Sequence, residues 1–349
     1  MVQLSKQPVD LAFTKALPKI ELHAHLSGSI SRECLQELWV RAKESDINCT
    51  IPNPMEVMPK GKVDFDLETQ VQNFFFTSES RYDIEGLRYS TRRVLQDFQE
   101  DGVRYLELRT TPRESQRHGV SKNDYVSTVL DVIDEFENDQ MSTYLILSID
   151  RTKSAANALE VVDLAVKYKH RGVVAVELSG DPSRGDVSIF KDAFARAKEH
   201  GLYVTLHFAE TASSSCPAEL ETLLSFQPER LGHVINVPNE FKEEIARRRL
   251  ALELCLSCNV HAKLIQGSFP DHHFGYWRHQ DCPVILCTDD VAFFGSPLSN
   301  EYLLAAEHFQ LDRSSIVDLC RTAVPAIFGS QGEKDRILQL LSDFEKQGW

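Results

Sequence analysis

Residues 171–207 read RGVVAVELSGDPSRGDVSIFKDAFARAKEHGLYVTLH, and this stretch indicates how the chain folds. It begins and ends with short apolar segments, VVAVEL and YVTLH, which have the composition of buried parallel strands. Between them, residues 189–200 space their apolar side chains three and four apart, as an amphipathic helix does. Gly172 and Gly201 precede the two strands, where helix C-caps are expected. The stretch therefore predicts one strand–helix–strand unit.

The same alternation recurs along the chain. The strand-like segments lie at 20–25, 103–108, 143–149, 173–178, 203–207, 230–235, 252–256 and 284–287. The helix-like stretches between them lie at 123–138, 155–170, 189–200 and 240–248. Eight repeats of strand and helix are typical of a single (β/α)8 TIM barrel of the α/β class. An open, doubly wound sheet would give similar local patterns and stays as the alternative.

The connection between the first two strands is longer than one crossover helix requires. It holds IPNPMEVMPKGK at 51–62 and three adjacent phenylalanines at 74–76. Long insertions after a barrel strand often cover the active face. We expect one barrel domain over residues 1–349 with a helical lid insertion at about 30–100. A pair of extra packing helices is the plainer alternative.

Composition argues against several classes of protein. The 349 residues carry 38 Lys and Arg against 52 Asp and Glu, a formal charge of −14 at pH 7. Nucleic-acid binding needs clustered positive charge, and no apolar run approaches the ~18 residues of a membrane span. We therefore expect a cytoplasmic monomer that binds a small molecule, with no nucleic-acid or membrane partner.

Histidines stand at the ends of the predicted strands. His23 and His25 close the first strand two residues apart, so both imidazoles point to one face. His207 ends another strand, Glu210 follows it, and His233 lies within RLGHVI. Singly, each histidine has an ordinary alternative as a hydrogen-bonded core residue. Together they are expected at one rim of the barrel, because parallel strand ends converge there.

Two adjacent acids, Asp289 and Asp290, follow the buried segment PVILCT. Buried carboxylates need a partner or a metal, so this choice is unusual for structure alone, although Asp290 alone would suit a helix N-cap. Histidine and aspartate side chains from four strand ends suit zinc, with a position left for water. A second metal is not expected, because VVAVELSG offers no lysine to bridge two ions.

Other zinc arrangements fit less well. One class of zinc deaminase uses H-x-E followed by P-C-x-x-C, whereas this chain has H-x-x-E at 207–210 and its Cys255-x-x-Cys258 follows Leu254. As half of a separate zinc site, Cys255 and Cys258 lack a second pair with matching spacing. The eight cysteines are better interpreted as mostly reduced and buried thiols.

The chain resembles the adenosine deaminase family of zinc aminohydrolases. The matching segments are LPKIELHAHLSGSI (17–30), LELRTTPR (106–113), VELSGDP (176–182), LHFAE (206–210), ERLGHV (229–234), CLSCNV (255–260) and CTDD (287–290). Within the family it looks most like the adenosine-deaminase-like branch, the N6-methyl-AMP deaminases, through LELRTTPR, SGDP, DHHFGYW (271–277) and CTDD. The resemblance implies a TIM barrel, one Zn2+ per chain, and hydrolytic loss of the amine at carbon 6 of a purine.

The resemblance also implies the metal site. The zinc ligands would be His23, His25, His207 and Asp289. Of these, Asp289 is also expected to act in catalysis, and His25 to lie against the substrate.

The same resemblance implies roles around the purine ring. Glu210 would protonate N1, and His233 would orient and polarise the attacking water. The backbone of Gly180 would donate a hydrogen bond to N3, and Asp290 would bind N7. Glu210 must then be a neutral acid in the complex, which burial favours.

Departures from the family pattern concern the choice of substrate. Ser27 stands where adenosine deaminases usually have aspartate, and a hydroxyl, unlike a carboxylate, does not repel a 5′-phosphate. We expect Arg113, Thr110 and Thr111 to bind that phosphate through charge-assisted bonds. Ser78 is a further candidate contact, in a stretch without the histidine expected there. The plainer alternatives are a rim salt bridge for Arg113 and a tight turn for Ser27.

Four functions compete on these observations. The favoured one is deamination of N6-methyl-AMP, or of a related N6-substituted AMP, to IMP and an amine. Adenosine or adenine deamination is the first alternative. An amidohydrolase that acts on a cyclic amide or phosphotriester is a second, and the missing lysine weakens it. A zinc-stabilised, purine-binding barrel without catalysis is the third, and it would not need to keep Glu210, His233 and Asp290.

Overall fold

A computed structural model of the chain describes residues 8–45, 50–59, 61–63, 83–116 and 118–347. Eight strands form one sheet in chain order, and each pairs in parallel with the next. They are β1 (Lys19–His25), β2 (Val103–Thr110), β3 (Ser142–Asp150), β4 (Val173–Ser179), β5 (Tyr203–Phe208), β6 (Arg230–His233), β7 (Ala251–Leu254) and β8 (Val284–Leu286). The predicted strands agree with these bounds to within two residues at each end.

The sheet closes on itself just beyond β8. The amide of His25 donates to the carbonyl of Asp289 at 3.1 Å, and the amide of Asp289 donates to the carbonyl of His23 at 2.8 Å. These bonds join the first strand to the residues that follow the last one. The (β/α)8 barrel is therefore confirmed, and the open sheet is not the fold of this chain.

Helices surround the sheet. They are α1 (Leu11–Ala16), α2 (Arg32–Ser45), α3 (Pro54–Val57), α4 (Ile84–Glu100), α5 (Lys122–Phe136), α6 (Ala155–Tyr168), α7 (Lys191–Glu199), α8 (Pro217–Ser225), α9 (Asn239–Arg248), α10 (Leu256–His261), α11 (Phe274–Trp277), α12 (Val291–Phe294), α13 (Leu298–Phe309), α14 (Arg313–Ala323) and α15 (Gln331–Lys346). Among the described residues, no helix is both long enough and apolar enough to cross a membrane. The monomeric state and the cytoplasmic location stay predictions.

Local sequence sets where these helices begin and end. The side chains of Asp83, Ser121 and Ser154 accept backbone N–H bonds at the starts of α4, α5 and α6, as N-caps do. Gly172 and Gly201 have φ of 95° and 68°, the left-handed conformation predicted before β4 and β5. Buried apolar side chains of these helices, such as Leu130, belong to the core, where truncation to alanine would cost about 2–5 kcal/mol.

The long connection after β1 consists of an insertion and the crossover helix that leads to β2. Helix α4 is the ordinary crossover helix of the barrel, because it packs beside α5 through Arg88 and Arg92, which both pair with Glu135. The extra part begins at Arg32, whose guanidinium donates to the carbonyls of Pro59, Lys62 and Ala292. This arginine fixes the insertion to the rim that follows β8. Residues 64–82, with the three phenylalanines and Ser78, lie outside the described residues.

A layer of charged side chains fills the barrel below the rim. We call it the arginine layer; it comprises Arg109, Arg230, Glu107, Glu177 and Glu253, all fully buried. Glu253 pairs with both arginines, at 2.7 Å to Arg109 and 2.6 Å to Arg230. Arg109 also pairs with Glu177, and Arg230 with Glu107. Burial alone would raise the pKa of Glu253, but the two arginines hold it well below its usual value.

Candidate active site

Four histidines and one aspartate converge on the carboxyl-terminal rim of the barrel. His23 and His25 come from β1, His207 from β5 and His233 from the end of β6, and Asp289 follows β8. The ring of His23 lies 4.7 Å from that of His207 and 4.9 Å from that of His233, centre to centre. The rim is thus one compact cluster, as the positions of these residues at the strand ends predict.

The spacing of the ligand atoms suits a metal ion. His23, His207, His233 and Asp289 each offer a ligand atom within 4.8 Å of those of the other three. His25 is also close, with its Nε2 3.3 Å from Asp289 Oδ1. The rim therefore brings together the expected ligands His23, His25, His207 and Asp289, although the group of mutually close ligand atoms contains His233 in place of His25.

His23 is oriented for metal binding by the layer below it. Its Nδ1 lies 2.6 Å from the Glu253 carboxylate, which accepts the Nδ1 proton. The lone pair on Nε2 then points into the cluster, where this buried atom has no hydrogen-bond partner among the described residues. Burial lowers the pKa of His23 to about 3, so the imidazole is neutral, as a metal ligand must be. A neutral ring nitrogen without a partner, pointing into a cluster of possible ligands, fits a metal ligand.

His207 and His25 are neutral as well. His207 Nδ1 lies 3.2 Å from the carbonyl oxygen of Leu178, so that nitrogen donates and Nε2 keeps its lone pair. Burial lowers the pKa of His207 well below its usual value, and burial also lowers the pKa of His25. These rings could therefore serve as nitrogen ligands without adding positive charge.

Asp289 is the anionic member of the cluster. Burial would raise its pKa, but the histidines around it, His233 first, hold that pKa below its usual value. The buried thiol of Cys258 donates to Asp289 Oδ2 at 2.9 Å. Burial raises the pKa of Cys258 well above its usual value, so Cys258 is a thiol that orients the carboxylate. Seven cysteines within the described residues are free, consistent with the expected reduced state.

Backbone strain is concentrated at this rim. Ala209, His233, Val234 and Asp289 have φ of 50°, 62°, 46° and 61°, although none is a glycine. Such conformations cost about 1–3 kcal/mol each and persist where the surroundings impose them. No pattern in the sequence marks these positions, so the strain was not predicted.

Two carboxyl groups beside the cluster have raised pKa values, which favours their neutral form. Burial raises the pKa of Glu210, and the nearby Asp289 raises it further. Burial also raises the pKa of Asp290 well above its usual value, with Asp289 and Glu210 as further causes. A Cβ on Gly28 would lie 1.5 Å from Asp290 Oδ1, so only glycine leaves room for this carboxyl group. Both groups can donate a proton or a hydrogen bond to a ligand in the rim.

The residues expected around a phosphate lie at the ends of β1 and β2. The amide of Leu26 donates to the carbonyl of Arg109 at 2.8 Å, which places half-buried Ser27 beside the end of β2. Thr111 and Arg113 follow there and are half-buried. Thr110 is different, because it faces the helices and its buried hydroxyl contacts the hydroxyl of Tyr125 at 2.7 Å. We therefore leave Thr110 out of the phosphate site.

The remaining expected contact, Gly180, is exposed directly after β4 at the same rim.

Several residues that shape the site were missed by the sequence analysis. Glu253, Arg109 and Asn259 contact the histidines or their partners, and Gly232 makes room for them, since a Cβ there would lie 2.6 Å from His23 Cε1. One signal was available for Glu253. An acid within the apolar run LELCL needs a buried partner.

Comparison with known proteins gives a consistent picture. A family model described as adenosine deaminase matches residues 18–344. An N6-methyl-AMP deaminase from Bos taurus is 34% identical over 345 residues, which cover 96% of each chain. The solved ADAL–IMP complex superposes with a TM-score of 0.89 at 33% identity, over 97% of this chain and 100% of that one. Arabidopsis ADAL complexed with GMP gives a TM-score of 0.88 at 34% identity, over 95% and 98%.

Proposed function

The chain belongs to the adenosine deaminase family and is an aminohydrolase, and from this premise we propose its reaction. We propose that it hydrolyses N6-methyl-AMP, or a closely related N6-substituted AMP, to IMP and the amine. The observation that carries the proposal is the rim cluster, in which imidazoles and one carboxylate stand beside Glu210, a carboxyl group whose pKa is raised by burial. Relatives at 34% identity named N6-methyl-AMP deaminase support the choice of substrate.

The cluster would hold one zinc ion through His23, His25, His207 and Asp289. When bound, zinc supplies a Lewis acid that lowers the pKa of water and so makes a nucleophile available near neutral pH. The Glu253 carboxylate and the Leu178 carbonyl keep the Nε2 lone pairs of His23 and His207 directed at that position. These partners fix the ligands before the metal arrives.

Glu210 would protonate N1 of the purine as water adds to carbon 6. A neutral carboxylic acid can give this proton, and burial beside Asp289 favours that form by raising the pKa of Glu210. His233 Nε2 lies 3.9 Å from Glu210 Oε1 and 3.8 Å from Asp289 Oδ2, so it would lie beside the attacking water and orient it. One water is consumed and one amine is released: of the two protons of the water, one leaves with the amine and the other restores the acid form of Glu210, while the proton given to N1 stays on the product.

Two further groups would hold the ring. N7 of a purine accepts hydrogen bonds, and the neutral Asp290 can donate one. The exposed backbone of Gly180 would donate to N3 from the opposite side of the barrel rim.

The 5′-phosphate would lie between the ends of β1 and β2. Ser27 donates from one side, while Thr111 and the guanidinium of Arg113 approach from the other. A carboxylate at position 27 would repel the phosphate, so the serine there favours a nucleotide over a nucleoside.

An ultraviolet assay with adenosine, AMP, N6-methyl-AMP and adenine tests the proposal. The zinc-loaded protein is expected to convert N6-methyl-AMP with the highest kcat/KM. Ser27→Asp should shift the preference towards adenosine, and Arg113→Ala should weaken only the phosphorylated substrates. Arg249→Ala, on an exposed ion pair with Asp281, is the matched control. Faster deamination of adenosine than of N6-methyl-AMP at equal low concentration would contradict the nucleotide proposal, and binding without turnover would favour the non-catalytic barrel.

A further inference from the structure

The segment DHHFGYW (271–277) contacts the strained end of β6, and the proposed reaction gives it no role. His273 Nε2 donates to the carbonyl of His233 at 2.6 Å, and Trp277 Nε1 donates to the carbonyl of Val234 at 3.4 Å. These two carbonyls belong to residues in the left-handed conformation. The segment therefore holds the backbone that carries His233.

A chain of buried hydrogen bonds links the same segment to the His233 ring. The backbone amide of Phe274 donates to His272 Nδ1 at 3.0 Å. His272 Nε2 lies 3.0 Å from the side-chain amide of Asn259. The other end of that amide lies 3.1 Å from His233 Nδ1. His272, Asn259 and His233 are at most 2% exposed, so water does not interrupt the chain.

The first bond fixes the direction of all the others. A backbone N–H can only donate, so His272 Nδ1 must be the acceptor and carries no proton. A ring with a bare Nδ1 is neutral and carries its proton on Nε2. His272 Nε2 is therefore a donor, and it needs an acceptor on Asn259.

The side chain of Asn259 must meet that requirement. With its Nδ2 towards His272, two donors would face each other. A half-turn of the amide exchanges its oxygen and nitrogen while the heavy atoms keep their places. The oxygen then accepts from His272, and the NH2 group faces His233 Nδ1. His233 Nδ1 becomes an acceptor.

We propose that His272 and Asn259 are positioning residues that hold neutral His233 with its proton on Nε2. The proposal rests on the proposed function in one respect, namely that the oxygen receiving this proton's hydrogen bond is the attacking water. His233 would then be a donor towards the reacting atoms, and it has no lone pair on Nε2 for a metal. His25, not His233, would complete the ligand set.

Two other histidines of the cluster, His23 and His207, carry their protons on the opposite nitrogen. His23 Nδ1 faces a carboxylate and His207 Nδ1 faces a carbonyl, so both carry the proton on Nδ1 and a lone pair on Nε2. Of these three rings, His233 alone faces a group that can donate to its Nδ1. The partner of each Nδ1 atom thus determines the state of Nε2. In His23 and His207, Nε2 keeps a lone pair for a metal, and in His233 it carries a proton and donates a hydrogen bond.

Nitrogen-15 NMR of histidine-labelled protein tests these proton positions without relying on activity. We expect His233 Nε2 to give the signal of a protonated nitrogen in both metal-free and zinc-loaded protein, assigned by its loss in His233→Gln. Asn259→Asp should reverse the pattern, because a carboxylate accepts from both rings and moves the proton of His233 to Nδ1. Asn138→Asp, at an exposed position, is the matched control.

Kinetics add a second readout. Asn259→Asp should lower kcat by about 10- to 100-fold, as loss of an outer-shell partner typically does, with little change in KM. An unprotonated Nε2 in the wild-type spectrum, or an unchanged spectrum in Asn259→Asp, would overturn the proposal. If Asn259→Asp does not fold, the wild-type spectrum decides alone. A wild-type protein with the expected spectrum but no deamination would overturn the proposed function and leave this inference standing.

Discussion

Two layers of polar side chains occupy the barrel interior, and they differ in how their atoms are paired. In the arginine layer every carboxylate contacts at least one arginine. In the rim cluster above it, His23 Nε2 and His233 Nε2 are buried without a hydrogen-bond partner among the described residues. Paired carboxylates indicate a structural role. Arg109 Nε in the arginine layer is also buried without a partner, but it is an N–H group, whereas an unpaired imidazole nitrogen can offer a lone pair to a ligand. The difference supports the rim as the place where a ligand binds.

The two layers are joined through the histidines. Glu253 contacts His23 at 2.6 Å, and Glu177 lies 3.9 Å from His207 Nδ1. The arginine layer therefore orients the rim cluster as well as filling the barrel. Variants in each layer should separate these two roles.

The largest effect is expected from removing a metal ligand of the rim cluster. His207→Ala should lose both zinc and detectable deamination, because a three-ligand site binds the ion weakly and misplaces it. The fold should survive, since the arginine layer is intact. Metal analysis, an amine-release assay and circular dichroism measure the three outcomes. His200→Ala, at an exposed histidine, is the control; full activity in His207→Ala would show that the ring is structural.

The next effect concerns the proton held in the rim cluster. Glu210→Gln should lower kcat by about 10²- to 10⁴-fold, because an amide can bind N1 but cannot protonate it. KM and zinc content should change little, since Glu210 is not among the proposed ligands. Steady-state kinetics with N6-methyl-AMP and metal analysis check this pair of results. Turnover near that of the wild type would remove Glu210 from the mechanism.

A third variant breaks the arginine layer instead. Glu253→Gln leaves Arg109 and Arg230 without their shared carboxylate, and loss of one partner from a buried pair costs about 3–5 kcal/mol. Urea unfolding should show this loss, and zinc affinity should fall because His23 loses its acceptor. Glu135→Gln, which also contacts two arginines but at the surface, should cost about 1 kcal/mol or less. Equal costs in the two variants would contradict the assigned roles.

Sequence reasoning predicted the rim cluster better than the arginine layer, for a physical reason. His23, His207 and Asp289 stand at strand ends, and strand ends converge on one rim in any parallel barrel. Arg109 and Glu253 lie inside apolar strands, 144 positions apart, and only the closed barrel brings them together. Which ring nitrogen of His233 carries the proton depends on Asn259 and His272, which are likewise distant in sequence from β6. A single sequence therefore does not predict which side chains pair across the barrel.

The smallest expected effect is a pH dependence of stability, and it comes from a buried carboxyl group whose hydrogen-bond partners are serines and not arginines. Glu301 accepts hydrogen bonds from Ser257 and Ser296, and burial raises its pKa to about 7. The folded state therefore binds more protons than the unfolded state between about pH 4.5 and pH 7, so stability falls as the pH rises through that window. Glu301→Gln should not lose stability in this way; the loss in the wild type is at most about 3 kcal/mol.

Urea unfolding of wild type and Glu301→Gln below and above this window measures the effect. At the higher pH, the free energy of unfolding of the variant should rise relative to that of the wild type. A constant difference between the two proteins would show that Glu301 stays ionised in the folded state, as the paired Glu253 does.

The central claim is that His23, His25, His207 and Asp289 of the rim cluster hold one catalytic metal ion. Titration of metal-free protein with zinc, while amine release from N6-methyl-AMP is followed, tests it most directly. We predict that activity rises from zero and reaches its plateau at about one zinc per chain, because the proposed ligands supply four donors for a single ion. Full activity before any zinc is added, or a plateau that needs two ions per chain, would contradict the account.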